Sequence, residues 1–306
     1  MMKIFKIILN LAVFFLIIVF IWWIFFSTNK GERLQSPDAG QIGKDTTMLF
    51  VSRYAAVASF ELPEEINRFE QFGGKLFIAA GQSVYIYTEG EPLTLFPVKQ
   101  DVRDIAVAGE NIYVLYPSLI EVYTASGTLS HQWEACSELS DYCSLTCAKG
   151  FIFVTDAENK NICKYTSDGN FVKFIESPRD FIIPSYSFDI DSWNDTLYCA
   201  NSGRHLVESY TVDGDFIAAF GGPGSQAGSF VGCCNPAYIS FTTDGNLITS
   251  EKGNPRISLF SRNGSFNEVL LNSRLLGGGN KAYEVKAHDN KLFVAGKNKI
   301  TVYQLI

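Results

Sequence analysis

From residue 45 onward, the chain consists of short runs in which apolar and polar residues alternate, separated by turn residues. The clearest stretch is 220–270, a glycine-rich loop followed by three short runs and the start of a fourth. Asp244-Gly245 and Asn263-Gly264 separate these runs, and such dipeptides between alternating runs are strong hairpin signals. One small sheet of this kind cannot bury both of its faces, so the pattern predicts that the unit repeats.

The same unit recurs along the whole of this region. The first residues of the second run in successive units lie 36, 40, 45, 50 and 45 residues apart. They are Leu76, Ile112, Ile152, Leu197, Leu247 and Leu292. A period of about 40–45 residues with four strands per unit is typical of β-propeller blades. Six units fit, so the sequence predicts an all-β, six-bladed propeller over residues 45–306. The units are 60–99, 100–138, 139–180, 181–229, 230–276 and 277–306.

The sixth unit contains only three runs. The run Thr47–Arg53 precedes the first unit and has no other partner there. We therefore predict that this N-terminal strand completes the last blade, which closes the ring and removes two exposed sheet edges.

The N-terminal region has a different pattern. Residues Ile7–Phe26 contain no charge and one polar residue, Asn10. At about 1.5 Å per residue, a helix of this length crosses the roughly 30 Å apolar layer of a bilayer. The run is longer than the apolar region of a cleaved signal peptide and lacks a small-residue cleavage site. The sequence therefore predicts a transmembrane signal anchor at 1–26, with residues 7–26 in the membrane, and a polar linker at 27–44.

The charges beside this span predict its orientation. Lys3 and Lys6 precede it and favour a cytoplasmic N-terminus, although Lys30 and Arg33 just beyond it weaken the contrast. The prediction is a single-pass membrane protein whose propeller is extracytoplasmic, either periplasmic or extracellular.

Composition narrows the range of partners. The net charge of −7 and the pI near 5.1 argue against nucleic acid and against anionic lipid. The chain has seven cysteines, and an extracytoplasmic location permits disulfides. Because seven is odd, at least one thiol is free or pairs outside the chain.

The fifth unit carries a more specific motif. Its glycine-rich loop, 221–230, is followed by Pro236, by the Asp-Gly-Asn turn at 244–246, and by Asn-Pro-Arg-Ile at 254–257. In this order of elements it resembles the NHL-repeat family of β-propellers, with Glu251 where the family has Asp. The third and fourth units match more loosely, so the resemblance rests mainly on residues 181–270.

This resemblance implies a six-bladed propeller that acts as a binding platform. A few members of the family are lyases or hydrolases that use a metal at the propeller axis. The chain departs from the family pattern at Cys233-Cys234, which lie between Phe230 and Pro236 where the family has polar residues or glycine.

The loops on one face of such a propeller supply the candidate site. Connections between successive blades lie on the same face as the loops between second and third strands. Arg204 has a planar guanidinium that suits a carboxylate or phosphate, or it pairs with Glu251 or Asp156. The predicted binding face contains Asp156, Asn201, Arg204, His205, Cys233, Cys234, Glu251 and Lys252.

Three interpretations of the cysteines remain open at this stage. Structural disulfides are preferred, for example Cys136 with Cys143, or Cys233 or Cys234 with a neighbouring loop. The second is a thiolate metal or iron–sulfur site, if the loops converge. The third is buried free thiols, which is the simplest interpretation of Cys199 in mid-strand. The disulfide or metal candidates are Cys136, Cys143, Cys147, Cys233 and Cys234.

The sequence thus supports three function hypotheses. The preferred one is a membrane-anchored extracytoplasmic propeller that binds a protein or another ligand on its loop face, with no cofactor. The second is a cysteine-dependent redox or metal-binding component of a membrane complex. The third and least favoured is a hydrolase or lyase. The metal lyases of the family need several axial histidines, whereas this chain has His131, His205 and His288, of which only His205 lies in a predicted loop of the binding face.

Overall fold

The computed structural model describes residues 52–306, and within this range twenty-four strands form six four-stranded sheets. The predicted membrane anchor (1–26) and linker (27–44) lie outside the described residues. Each sheet is one blade, all neighbouring strands are antiparallel, and the predicted six-bladed propeller is confirmed.

The first three blades are built as follows. Blade 1 contains β2 (Ile66–Phe72), β3 (Lys75–Ala80), β4 (Ser83–Tyr87) and β5 (Leu93–Pro97). Blade 2 contains β6 (Asp104–Ala108), β7 (Asn111–Tyr116), β8 (Leu119–Thr124) and β9 (Leu129–Glu134). Blade 3 contains β10 (Tyr142–Ala148), β11 (Phe151–Asp156), β12 (Asn161–Thr166) and β13 (Phe171–Ile175).

The other three blades follow the same order, from the inner strand to the outer one. Blade 4 contains β14 (Ile190–Trp193), β15 (Thr196–Asn201), β16 (Leu206–Thr211) and β17 (Phe216–Gly221). Blade 5 contains β18 (Tyr238–Phe241), β19 (Leu247–Glu251), β20 (Arg256–Phe260) and β21 (Phe266–Leu271). Blade 6 contains β22 (Val285–His288), β23 (Lys291–Ala295), β24 (Lys299–Leu305) and, as its outer strand, β1 (Tyr54–Glu61).

The ring closes through an N-terminal strand, but not through the run that the sequence predicted. Strand β1 pairs with β24 from Tyr54↔Leu305 to Glu61↔Lys299, whereas the prediction was Thr47–Arg53, of which 47–51 lie outside the described residues. As an outer strand, β1 is mostly exposed, apart from Phe60, which stacks on Tyr87 of blade 1. Lack of a partner within the first unit therefore identified the closing strand only to within a few residues.

The hydrophobic core lies between the blades. Within the described residues, each cluster of buried apolar side chains joins two adjacent blades. The second strand of a blade is covered on both faces, which is why 76–80 and 112–116 are buried without interruption. The outer strands are largely exposed.

Glycine turns between third and fourth strands fit one blade against the previous one. Gly169 has φ +83°, and a Cβ there would lie 2.3 Å from Nε1 of Trp133 in the preceding blade. Gly264 has φ +87°, and a Cβ there would lie 2.4 Å from the Cβ of Phe220 in the preceding blade. Only glycine satisfies both the backbone angle and the contact.

Helical structure is minor in this part of the chain. A single turn, α1 (Ser273–Leu276), lies between blades 5 and 6 and is capped by Asn272, which accepts hydrogen bonds from the N–H groups of Arg274 and Leu275. Residues 202–204 form a 3₁₀ turn. Across residues 52–306, no helix has the length and apolar character needed to span a bilayer.

Candidate functional site

The antiparallel blades place two sets of loops on one side of the ring, here called the loop face. It consists of the connections between blades (62–65, 98–103, 135–141, 176–189, 222–237 and 272–284) and the loops between second and third strands (81–82, 117–118, 157–160, 202–205, 252–255 and 296–298).

Three residues of the predicted binding face are buried and hold loops together. Asp156 Oδ1 accepts hydrogen bonds from the backbone N–H groups of 141, 158 and 159. Asn201 accepts one from the N–H of 182 and donates to Glu208. Glu251 accepts from the N–H of 231 and from both Nε and Nη2 of Arg256, at 2.7 and 2.9 Å. Each one ties a second-strand end to a neighbouring connection, which is a structural role.

Arg204 and His205 lie away from the axis. Arg204 Nε donates to the carbonyl oxygen of Asp180 at 2.9 Å, and its Nη2 lies 3.8 Å from the Asp180 carboxylate. It lines a peripheral cavity beside blades 3 and 4, together with Lys160 and Phe181. The structure therefore does not bring Arg204 to the same cavity as Lys252.

A cavity of about 340 Å³ opens on the loop face at the centre of the ring. Arg68 forms part of its floor, and Arg103, Lys252 and Lys281 contribute further positive charge to its wall. Its remaining lining residues are Asn67, Val102, Cys143, Ser185, Tyr186, Ser187, Phe188, Asp189, Ala237, Tyr238 and Ala282. We call this the axial cavity.

Lys252 is the cation of the axial cavity that has no acidic partner. Its Nζ donates to Ser185 Oγ at 2.9 Å and to Ser187 Oγ at 3.5 Å, and it forms no ion pair within residues 52–306. Arg103 pairs with Asp141 at 3.4 Å, and Lys281 with an exposed glutamate at 3.6 Å. The buried Cys234, another residue of the predicted binding face, contacts Lys252 and Ser185.

At the floor of the axial cavity, Arg68, Asp189 and Tyr238 belong to a ring of polar side chains that lie in, or just before, the inner strands. Arg68 of blade 1 reaches carboxylates of three other blades: Asp189 at 2.6 Å, Asp104 at 3.4 Å and Glu284 at 3.7 Å. Its guanidinium also lies over the ring of Tyr238, 4.7 Å from the centroid. One side chain touches this many blades only at the axis. We call the following set the axial ring: Arg68, Asp104, Ser144, Asp189, Tyr238 and Glu284.

Members of the axial ring also join successive blades at four of the six junctions. Asp104 accepts the backbone N–H of residue 145, and Ser144 that of residue 190. Asp189 accepts the N–H of residue 239, and Glu284 that of residue 69. Four of the six junctions thus use the same bond, in which a side chain in or just before one inner strand accepts a backbone N–H of the following inner strand. The carboxylates are committed to the scaffold.

Burial and charge set the protonation of this region. Burial raises the pKa of Glu284 to about 8, against the opposing effect of Arg68. Burial alone would lower the pKa of Arg68, but Asp104, Asp189 and Glu284 outweigh it and raise that pKa. Two residues further along the strands, Lys286 lies 2.8 Å from Glu70, and burial raises the pKa of nearby Asp191 to about 7.

The cysteines are distributed differently from the prediction. Cys136 Sγ lies 3.1 Å from Cys163 Sγ, while Cys143 points into the core between blades 3 and 4 and donates to the carbonyl oxygen of Asp141. The suggested Cys136–Cys143 pair is therefore wrong: Cys136 packs on the other side of the blade 3 sheet, between blades 2 and 3. Cys199 is a buried free thiol in the core, as predicted.

The predicted five-thiolate metal site does not form in the described residues. Cys147 belongs to the core between blades 2 and 3, and the Sγ atoms of Cys233 and Cys234 lie 2.9 Å apart in the connection before blade 5. Across residues 52–306, the one group of three potential ligand atoms within 4.8 Å of one another combines Cys136 and Cys163 with Asp156. All seven cysteines are free thiols.

That three-residue group fits a metal poorly. Oxygens of Asp156 accept three backbone N–H bonds and one from Asn159 Nδ2 at 2.8 Å, so the carboxylate is saturated by the loop that it organises. Two sulfur atoms remain, which is fewer than the three or four protein ligands of a zinc site.

Sequence comparison gives no family for this chain: it matches no protein-family model, and no curated protein matches it. Solved structures do resemble it. Virginiamycin B lyase from Staphylococcus aureus aligns with a TM-score of 0.60 at 15% identity, covering 83% of this chain and 100% of that one. A streptogramin B lyase aligns with a TM-score of 0.56 at 15% identity, covering 83% and 98%.

A third neighbour is a structural-genomics protein of unknown function from Bacteroides thetaiotaomicron. Its TM-score is 0.59 at 14% identity, and the alignment covers 82% of this chain and 72% of that one. At such identities the likeness concerns the fold alone, and the chain is similar in architecture to six-bladed propellers such as virginiamycin B lyase.

Proposed function

We propose that the chain is a membrane-anchored extracytoplasmic propeller that binds a small anion, carrying a carboxylate or phosphate group, in the axial cavity. The observation that carries this proposal is Lys252, whose ammonium group faces the cavity with two serine hydroxyls and no acidic partner in the described chain. In a protein of net charge −7, Lys252 therefore places a positive charge without an acidic partner among residues 52–306 at the centre of the loop face.

The surroundings of Lys252 suit a small anion. The axial cavity has about 340 Å³, within the range of small-molecule sites. Ser185 and Ser187 can rotate their hydroxyls toward an anion, and the hydroxyl of Tyr238 makes no hydrogen bond in the described chain. Arg103 pairs with a partly exposed aspartate and Lys281 with an exposed glutamate. Such solvent-accessible ion pairs contribute about 0–1 kcal/mol, so an anionic ligand can compete for both cations.

Binding rather than catalysis is what the wall supports. Within the described chain the axial cavity has no histidine, and Asp189 accepts bonds from Arg68, Ser144 and a backbone N–H. Burial raises the pKa of Cys143 to about 12, so this thiol stays neutral. We therefore propose anion binding for this wall, and not the lyase activity named for two structural neighbours.

Thermal unfolding of the purified full chain in detergent tests the proposal. Inorganic phosphate, succinate and citrate are added at constant ionic strength, with chloride as the reference. An anion present at 100 times its Kd stabilises the folded chain by about 2.7 kcal/mol, which raises Tm by roughly 5–10 °C. Lys252→Met removes a charged hydrogen bond worth about 1.5–3 kcal/mol and should weaken binding roughly 10- to 100-fold.

Lys160→Met is the matched control, because Lys160 lies in the equivalent loop of blade 3 and lines the peripheral cavity instead. It should bind the anions as the unaltered chain does. Equal weakening by both variants, or no anion raising Tm above the chloride reference, would show that the axial cavity is not an anion site.

The membrane part of the proposal rests on residues 7–26 and has its own test. A topology reporter fused after Ile306 should be active only as an extracytoplasmic fusion, and cytoplasmic activity would contradict the proposed orientation. A protein partner on the loop face remains part of the proposal, since an acidic side chain of such a partner would meet the same cations.

A further inference from the structure

Two cysteines meet at the edge of the loop face, away from the axial cavity. Cys136 lies in the connection from blade 2 to blade 3, and Cys163 lies on β12 of blade 3. Their Sγ atoms are 3.1 Å apart, closer than an ordinary contact of about 4.0–4.5 Å and about 1 Å longer than a disulfide bond.

The two thiols differ in access. Cys136 is half-buried and reaches solvent, whereas Cys163 is fully buried beneath it. An incoming reagent therefore meets Cys136 first, with Cys163 already in place behind it. This is the arrangement of an attacking cysteine with a resolving partner.

Neighbouring groups favour a thiolate at Cys136. The hydroxyl of Tyr142 lies 3.5 Å from Cys136 Sγ and accepts the Cys136 backbone N–H at 3.0 Å. Tyr142 and Tyr165 also share a hydrogen bond. The hydrogen bond from Cys163 is the largest influence that lowers the pKa of Cys136, to about 6, whereas the same contact and burial raise the pKa of Cys163.

We propose that Cys136 and Cys163 are a redox-active dithiol that becomes a disulfide by exchange with a disulfide donor, such as glutathione disulfide or an oxidised dithiol protein. The Cys136 thiolate attacks one donor sulfur, the donor S–S bond breaks, and the first donor thiol leaves. Cys163 Sγ then attacks Cys136 Sγ, and the second donor sulfur leaves as a thiol. Two protons and two electrons pass to the donor, so the exchange balances.

The disulfide would fasten the 135–141 connection to the body of blade 3. That connection ends at Asp141, which pairs with Arg103 in the wall of the axial cavity. Without the bond, Cys136 is held by the contact with Cys163 and by Tyr142. The proposal does not depend on the anion site, because it rests on a different pair of elements.

Peptide mapping of the full chain tests the exchange directly. The purified protein in detergent is incubated with glutathione disulfide, alkylated with N-ethylmaleimide, and digested with trypsin and a Glu-specific protease. Cleavage gives the short peptides Ala135–Glu138 and Asn161–Lys164, each with one cysteine. The expected product is these two peptides joined, two hydrogens lighter than their sum. Separate alkylated peptides, or Cys136 joined to another cysteine, would overturn the proposal.

Thermal unfolding gives a second measurement. Adding a phosphine reductant to the oxidised chain should lower Tm by roughly 5–10 °C, because the disulfide closes a loop of about 27 residues. Cys163→Ala should abolish this difference, and Cys147→Ala, in the same core cluster, should retain it. If reduction still lowers the Tm of Cys163→Ala, the Cys136–Cys163 disulfide is not its cause, and the proposal is rejected. The peptide map of the unaltered chain stands even if a variant fails to fold.

Discussion

The Cys136 thiol shows how much of a residue's chemistry comes from its neighbours. The pKa of Cys136 is lowered to about 6 chiefly by the hydrogen bond from Cys163, with further help from Tyr142 and Tyr165. Only the thiolate reacts with alkylating reagents. The rate of Cys136 alkylation in the reduced chain should therefore rise with pH to a plateau, with its midpoint near pH 6.

The matched variant is Cys163→Ala, which removes the largest cause of the lowered pKa. Its alkylation midpoint should move up toward the ordinary cysteine range of about 8.5. Peptide mass spectrometry after short pulses of iodoacetamide follows Cys136 alone. If the alkylation midpoints of the unaltered chain and the variant coincide, Cys163 does not lower the pKa of Cys136.

The residues of the site were only partly accessible from the sequence. Loop position correctly placed Lys252 on the loop face, but it could not show that Asp156, Asn201 and Glu251 turn inward to hold loops. The axial ring was missed altogether. In the sequence, Arg68 looks like an ordinary polar residue of a strand. Its role is visible only in the folded ring, where it contacts carboxylates of three other blades.

At the scale of elements, the turn glycines set how closely blades pack. Gly169→Ala should destabilise the chain through two effects. A side chain at φ +83° costs about 1–2 kcal/mol, and the new Cβ would displace Trp133, which adds about 1–3 kcal/mol. Denaturant unfolding monitored by fluorescence measures the sum.

Gly253→Ala separates the two effects. Gly253 has a similar φ of +87° but nothing within 4 Å of its Cβ position. Gly253→Ala should therefore be destabilised only by the cost of a side chain at positive φ. Its denaturant midpoint should fall less than that of Gly169→Ala. Equal losses would mean that the Trp133 contact contributes nothing.

Strands were predictable where burial leaves a pattern. The second strands, covered on both faces, read as continuous apolar runs and set the period that gave the blades. The prediction of Thr47–Arg53 as the closing strand rested on that run having no partner in the first unit, and β1 begins one residue after it. Hydrogen bonding to β24, which no local pattern encodes, selects Tyr54–Glu61.

At the scale of the whole molecule, the ring of six separate sheets closes only when each blade packs on the next. Four junctions use a side chain of the axial ring to accept a backbone N–H from the next blade. The repeat could be inferred from the spacing of the apolar runs alone. These junctions could not be inferred, because they join residues about 40 or more positions apart in sequence. For Glu284 and Phe69, the two residues lie at opposite ends of the domain.

The junction made by Glu284 gives the ring a pH dependence whose sign follows from burial. The pKa of Glu284 is raised to about 8 in the folded chain from about 4.5 when unfolded. Between these values the folded chain binds more protons than the unfolded chain. The contribution of Glu284 to stability is therefore greatest at low pH and is lost as pH rises, by about 1.4 kcal/mol per unit between pH 5 and 8.

Glu284→Gln should remove this slope. The amide oxygen still accepts the N–H of Phe69, and the side chain no longer titrates, while the 3.7 Å ion pair with Arg68 is lost. Urea unfolding at pH 5.5 and pH 8.5 should therefore show a smaller fall in stability for the variant than for the unaltered chain. Asp244→Asn, in an exposed turn, should leave the fall unchanged. An equal fall in all three chains would place the pH dependence elsewhere than in the axial ring.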